Sequence, residues 1–168
     1  MDSRIQNLAR TMAEYCLDAQ PREAFAINAT DAACPLVEAL HEELLRKGAW
    51  PLIKMIPDAS SGALFRSGHD HHLDEISPVE KAIVDKLAGT AAIYSSRNTR
   101  ALSGLDPALQ AQAAKTARPL KNKLLKKKWT LTLFPTAAYA QDAEMSLREF
   151  EDFVYSATFS DEEKPVKA

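Results

Sequence analysis

The chain has 168 residues, of which 46% are hydrophobic and 26% charged, with a formal net charge of −2. That length suits one domain, and the apolar share is enough for a packed core without disulfides or metal, which excludes a disordered chain or a disulfide scaffold. Near-neutral charge provides no whole-chain field to recruit nucleic acid or an acidic membrane, and no apolar run reaches the length of a bilayer span.

The opening MDSRIQNLARTMAEYCL carries charges throughout and lacks the uninterrupted apolar core of a secretory signal, so export is not expected. Ile5, Leu8, Ala9, Met12 and Cys16 recur at helical spacing, predicting an N-terminal helix that ends before Pro21. Cys16 on its apolar face and Cys34 near the start of the next helix have no Cys-x-x-Cys spacing, and they read as buried, reduced thiols of a cytosolic protein. Residues 24–28 (AFAIN) are apolar on both faces, as in a strand covered from both sides. Asp31 is the expected cap of the following helix, whose stripe is Leu36, Val37, Leu40 and Leu44 and whose end is Gly48.

Residues 51–57 (PLIKMIP) predict a second strand, followed by turn formers with one short helix near Leu64. Ser77-Pro78-Val79-Glu80 combines a Ser-x-x-Glu capping box with proline at the first helical position, and Val79, Ile83, Val84 and Leu87 line one face. A third strand is expected over residues 90–95. The next stripe is Leu109, Ala113, Ala117, Leu120 and Leu124, with Pro119 expected to kink or split that helix. In residues 130–134 threonines alternate with Leu131 and Leu133, which suits a fourth strand at an edge. Ser146 and Glu149 form a second capping box, ahead of a helix whose buried stripe reads Leu147, Phe150, Phe153, Val154 and Ala157. Strands alternating with helices predict an α/β fold: a three-layer sandwich with a mostly parallel sheet of four or five strands flanked by helices. It forms a single domain over residues 1–160, with 161–168 a linker or frayed tail.

In such a sheet ligands bind beyond the carboxyl ends of the strands, at residues 28–31, 57–61, 95–100 and 135–136. The first of these loops, NATDAAC, has no glycine for close approach of a pyrophosphate, which disfavours a dinucleotide site, and no P-loop pattern is present. His69-Asp70-His71-His72 has the chemistry of a metal site, but neighbouring side chains rarely converge on one ion, and the cluster reads as a solvated loop. Lys115, Arg118, Lys121, Lys123, Lys126, Lys127 and Lys128 form a basic run without interleaved aromatics, a solvated helix end rather than a nucleic-acid surface. The capping boxes account for Glu80 and Glu149, and Ser60, Ser67 and Ser95 lack a nucleophile elbow. Cys34 and His41 are too far apart along a helix to form a nucleophile pair. No catalytic and no metal-ligating residue is assigned.

Three segments carry a more specific likeness: NTRALSGLDPALQ at 98–110, ARPLKN at 117–122, and WTLTLFPTAAYAQDAEMSLREFEDFVYSATF at 129–159. In order and wording they resemble the first domain of the thermophilic metalloaminopeptidases, the aminopeptidase T and aminopeptidase S family, and the likeness runs over nearly the whole chain. The histidine cluster and the lysine-rich run depart from it. The resemblance implies the N-terminal domain of a cytoplasmic, homodimeric, two-domain enzyme that releases N-terminal residues from peptides. It places two divalent metal ions, cobalt or zinc, in a C-terminal catalytic domain absent from this chain. This domain would then help enclose the substrate chamber, be inactive alone, and partner its own catalytic domain and the peptide rather than nucleic acid or membrane. Asn98, Arg100 and Thr136, on loops at the carboxyl edge of the sheet, are expected to face that chamber. The alternatives are a stand-alone α/β interaction module or the N-terminal domain of a related ring-opening dioxygenase.

Overall fold

Strands of six or seven residues separated by helix-length segments leave room for the crossover connections that parallel pairing requires, and the chain folds as a doubly wound sheet. The computed structural model describes residues 2–60 and 62–158. In it β1 (Ala24–Thr30), β2 (Trp50–Ile56), β3 (Gly89–Tyr94) and β4 (Lys128–Leu133) form one parallel four-stranded sheet in the order β2-β1-β3-β4. The architecture is the expected α/β sandwich, with β4 at one edge. The helices are α1 (Ser3–Thr11), α2 (Cys34–Arg46), α3 (Ala63–Ser67), α4 (Asp70–Asp74), α5 (Pro78–Lys86), α6 (Pro107–Leu124), α7 (Ala137–Asp142) and α8 (Leu147–Thr158). The expected tail at 161–168 lies outside the described residues.

One face of the sheet, carrying Phe25, Ile27, Ala91 and Ile93, packs against α1 and α2 in the main core, which Leu36, Val37, Leu40 and Leu44 complete as their spacing requires. Right-handed crossovers put α5 and α6 on the other face, because the chain moves the opposite way along the sheet from β2 to β3 and from β3 to β4. There Lys54 of β2 reaches Glu80 of α5 at 2.6 and 2.8 Å.

Several local expectations are overturned. Cys16 is exposed, not buried, because Met12–Cys16 widens into a π-turn that shifts the helical register and brings Leu17 into the core in its place. Thr30, not Asp31, caps the turn into α2, accepting from the Ala32 N–H. Ser77 precedes α5 without a side-chain cap bond, since Glu80 is drawn to Lys54. Of the stripe expected on this helix, Val84 and Leu87 are buried, but Val79 lies 65% exposed. On α8 the buried residues are Phe150 and Tyr155, while Leu147, Phe153 and Ala157 face out, because Arg4 of α1 sits over the Tyr155 ring and pairs with Asp152. α6 runs unbroken through Pro119.

The β2 strand is covered less than its sequence suggests, leaving Trp50, Leu52, Ile53 and Ile56 exposed at the sheet edge. Its proline is tolerated for a topological reason. The Trp50 N–H donates back to Glu23 at the start of β1, so the next residue, Pro51, turns its missing N–H to the open side.

At the amino edge Lys128 Nζ holds the Glu23 carboxylate at 2.8 and 3.0 Å and the Asp18 carbonyl at 2.7 Å. Burial, the largest single effect on Glu23, pushes its carboxyl up. The Lys128 hydrogen bond, the Gln20 N–H and the Lys128 charge together outweigh burial and hold the group below its ordinary value. A depressed carboxylate stabilises the fold above its unfolded value near pH 4.3, and that stability is lost as pH falls through the lower folded value. Glu23→Gln should therefore cost about 1 kcal/mol at pH 7 in urea unfolding, and the gap to wild type should close below about pH 4. In the same assay Leu40→Ala, at a fully buried position, should cost ~2–5 kcal/mol. Val79→Ala should stay within about 0.5 kcal/mol, as a surface change does.

Candidate functional site

In a sheet wound this way, the crevice for ligands opens where neighbouring strands send their chains to opposite faces, here between β1 and β3. The chain closes that crevice with its own polar groups. Thr30, at the end of β1, donates its hydroxyl to the Ser95 carbonyl at 2.8 Å and lies 2.8 Å from the Ser95 hydroxyl. One residue further on, Asp31 pairs with the Arg97 guanidinium through Oδ2, while Oδ1 accepts from the Asp58 N–H at 2.9 Å. Asp58 returns its carboxylate to the β3 loop, accepting from Ser96 Oγ and the Arg97 N–H, each at 3.1 Å. The loop after β4 joins through Thr136, whose hydroxyl donates to the Ser96 carbonyl at 2.6 Å, and through Tyr139, whose hydroxyl accepts from the Ser96 N–H at 3.3 Å. The Asp58 N–H, and after it Arg97, hold the Asp31 carboxyl below the usual carboxylate range.

Outside this closed network the β3 loop presents its tip. Asn98 and Thr99 stand between two clefts. One, of about 430 Å³, has Arg97, Arg100, Gln141 and Asp142 in its walls. The other, of about 580 Å³, mixes polar Ser96, Ser103 and Gln110 with Leu102, Leu105 and Tyr139. Of the residues expected at a chamber face, Asn98 and Arg100 are exposed in the first cleft. Thr136 lies beneath the loop, buried, and it also accepts from the Tyr139 N–H as the cap of α7. Asp58, Ser96, Arg97 and Tyr139 were not singled out from sequence. The available signal for the first three was position alone, since each falls within three residues of a strand's carboxyl end.

The remaining candidates have structural roles. His69, His71 and His72 fall at the start of α4, where His72 Nδ1 accepts from the His69 N–H at 3.0 Å and the His71 and His72 rings contact each other 3.9 Å apart. Within the lysine run, Lys123 pairs with Asp85, Lys127 caps the Leu87 carbonyl and Lys128 holds Glu23. Among the described residues no group of three or more His, Cys, Asp or Glu is placed to hold a metal ion. Among them, too, no helix is long and apolar enough to cross a membrane.

Compared with known families, the entire chain, residues 1–168, matches the thermophilic metalloprotease (M29) family. The chain belongs to that family. Wild-type AmpT from Thermus thermophilus is similar in structure, with a TM-score of 0.72 at 19% sequence identity, over 92% of this chain and 43% of that chain. At that identity the likeness shows the fold, and the chain spans less than half of AmpT's length. No match was found among curated proteins.

Metals implied by the M29 family find no fitting ligand set among the described residues, because no three ligand-type side chains come together there, and in the histidine cluster His72 Nδ1 already accepts from the backbone. Added zinc or a chelator should therefore leave the thermal unfolding midpoint of this chain unchanged. A concentration-dependent rise with zinc, abolished by His71→Ala, would contradict this placement.

Proposed function

We propose that this chain is the substrate-enclosing first domain of a metal-dependent aminopeptidase and that bond cleavage takes place on another domain of the parent enzyme. The observation that carries the reading is the M29 match along the whole chain, set beside coverage of only 43% of AmpT. The two divalent cations of such an enzyme, cobalt or zinc, belong in this reading to that other domain, since no described residues here fit them.

The work left to this chain is binding and exclusion of water. Asn98 and Arg100 offer an amide and a guanidinium on the rigid carboxyl edge, groups suited to the carbonyls and carboxylate of a peptide. Thr136 supports them from below through Ser96. In the same reading the parent is a cytoplasmic homodimer. Free Cys16 and Cys34 favour a reducing compartment, and exposed Trp50, Trp129 and Phe153 leave apolar area for the second domain and the partner.

The test uses the parent enzyme with a leucyl peptide. Asn98→Ala and Arg100→Ala should each raise KM about 5–10-fold, as loss of one polar substrate contact does. This chain alone, supplied with cobalt or zinc, should release no leucine. Unchanged kinetics for Asn98→Ala, Arg100→Ala and Thr136→Ala together, or hydrolysis by this chain alone, would sink the reading.

A further inference from the structure

Asp58 opens the short turn that follows β2, and it grips another loop with both carboxylate oxygens: Oδ1 takes the Ser96 hydroxyl and Oδ2 the Arg97 N–H. Its own N–H goes to Asp31, which in turn holds Arg97, so three loops close into one ring. From that ring the geometry passes outward. The Ser96 hydroxyl accepts from the Asn98 N–H at 3.1 Å, and Asn98 Oδ1 accepts from the Arg100 N–H at 3.0 Å. The placement of the loop tip thus traces back to Asp58 through one hydroxyl and one side-chain amide.

We propose that Asp58 is the positioning residue of the peptide-facing wall: without touching substrate, it fixes residues 98–100 in the form that receives it. The proposal rests on the reading of this edge as a chamber wall and deepens it. The chemistry explains why a carboxylate stands here. Both partners are donors: an ionised carboxylate can only accept, so the Ser96 hydroxyl, which also accepts from the Asn98 N–H, gives its proton to the residue at position 58. An asparagine keeps one acceptor, for the Arg97 N–H, but presents an NH₂ to a hydroxyl whose proton then has no partner. An alanine removes both acceptors. The variants should therefore rank wild type, Asp58→Asn, Asp58→Ala.

Two measurements decide the matter. In hydrogen exchange on the 168-residue chain, Asp58→Ala should speed exchange across residues 95–101 about tenfold and Asp58→Asn about threefold, with α2 amides unchanged. Unaltered exchange at that loop overturns the proposal. In the parent enzyme the same variants should raise KM for a leucyl peptide in the same order, about 5–10-fold for Asp58→Ala, with kcat within about twofold. A role confined to overall folding would reduce the active fraction, so a fall in kcat at constant KM also overturns the proposal. If the wild-type parent hydrolyses no peptide, the aminopeptidase reading fails and takes the peptide-facing role with it. The exchange result then still decides whether Asp58 anchors the loop.

Discussion

β1 and β3 lie side by side in the sheet, yet Thr30 and Ser95, which join their carboxyl ends, stand 65 positions apart in the chain. At that junction the backbone leaves β1 for the α2 face and leaves β3 for the α6 face, so its polar groups cannot go on pairing with each other. In many sheets of this winding a ligand fills the gap. Here Asp31, Asp58 and Arg97 fill it, and every loop at this edge is fixed relative to that ion pair and its hydrogen bonds. The surface open to a ligand is thereby moved outward, to the tip at Asn98.

The two helical layers differ in charge in a way the net value of −2 conceals. The layer of α5 and α6 carries exposed Lys81, Lys86, Lys115, Arg118 and Lys121, whereas α2 and α8 carry Glu38, Glu42, Glu149, Glu151 and Asp152. Beside the basic layer, β2 exposes Trp50 and Leu52 along a groove of about 630 Å³ that Val79 and Ile83 complete. Pro51 removes one backbone donor from that edge, so its apolar side chains are better suited to packing under a covering layer than to extending the sheet.

Much of this was legible in the sequence because it depends on periodicity. The alternation of strand and helix, the buried stripe Leu36, Val37, Leu40 and Leu44, the edge position of β4 and the Ser146–Glu149 capping box all follow from local pattern. The two capping failures share one cause, the override of local pattern by a partner distant in sequence. Glu80 leaves its cap for Lys54, 26 positions away, and Asp31 gives up capping for Arg97, 66 positions away. Cys16 was misplaced for a different reason: one extra residue in a π-turn rotates everything after it, and composition carries no mark of such a turn. The candidate site was legible only as a set of loops. Asp58 could be placed among them, but its grip on Ser96 and Arg97 depends on strand order, which the sequence leaves open.

In the role proposed for this edge, a wall built from fixed groups bears its ordering cost at folding rather than at binding, so contacts made on it would not be offset by loop immobilisation. That advantage holds only while the ring keeps its charge. Asp31 is held below the usual carboxylate range, first by the Asp58 N–H and then by Arg97. Its contribution is therefore complete above about pH 4 and fades only as pH falls through its lower folded value. Across neutral pH the Asp31 carboxylate accordingly keeps its hold on the Asp58 N–H and on Arg97, and with it the link between the three loops.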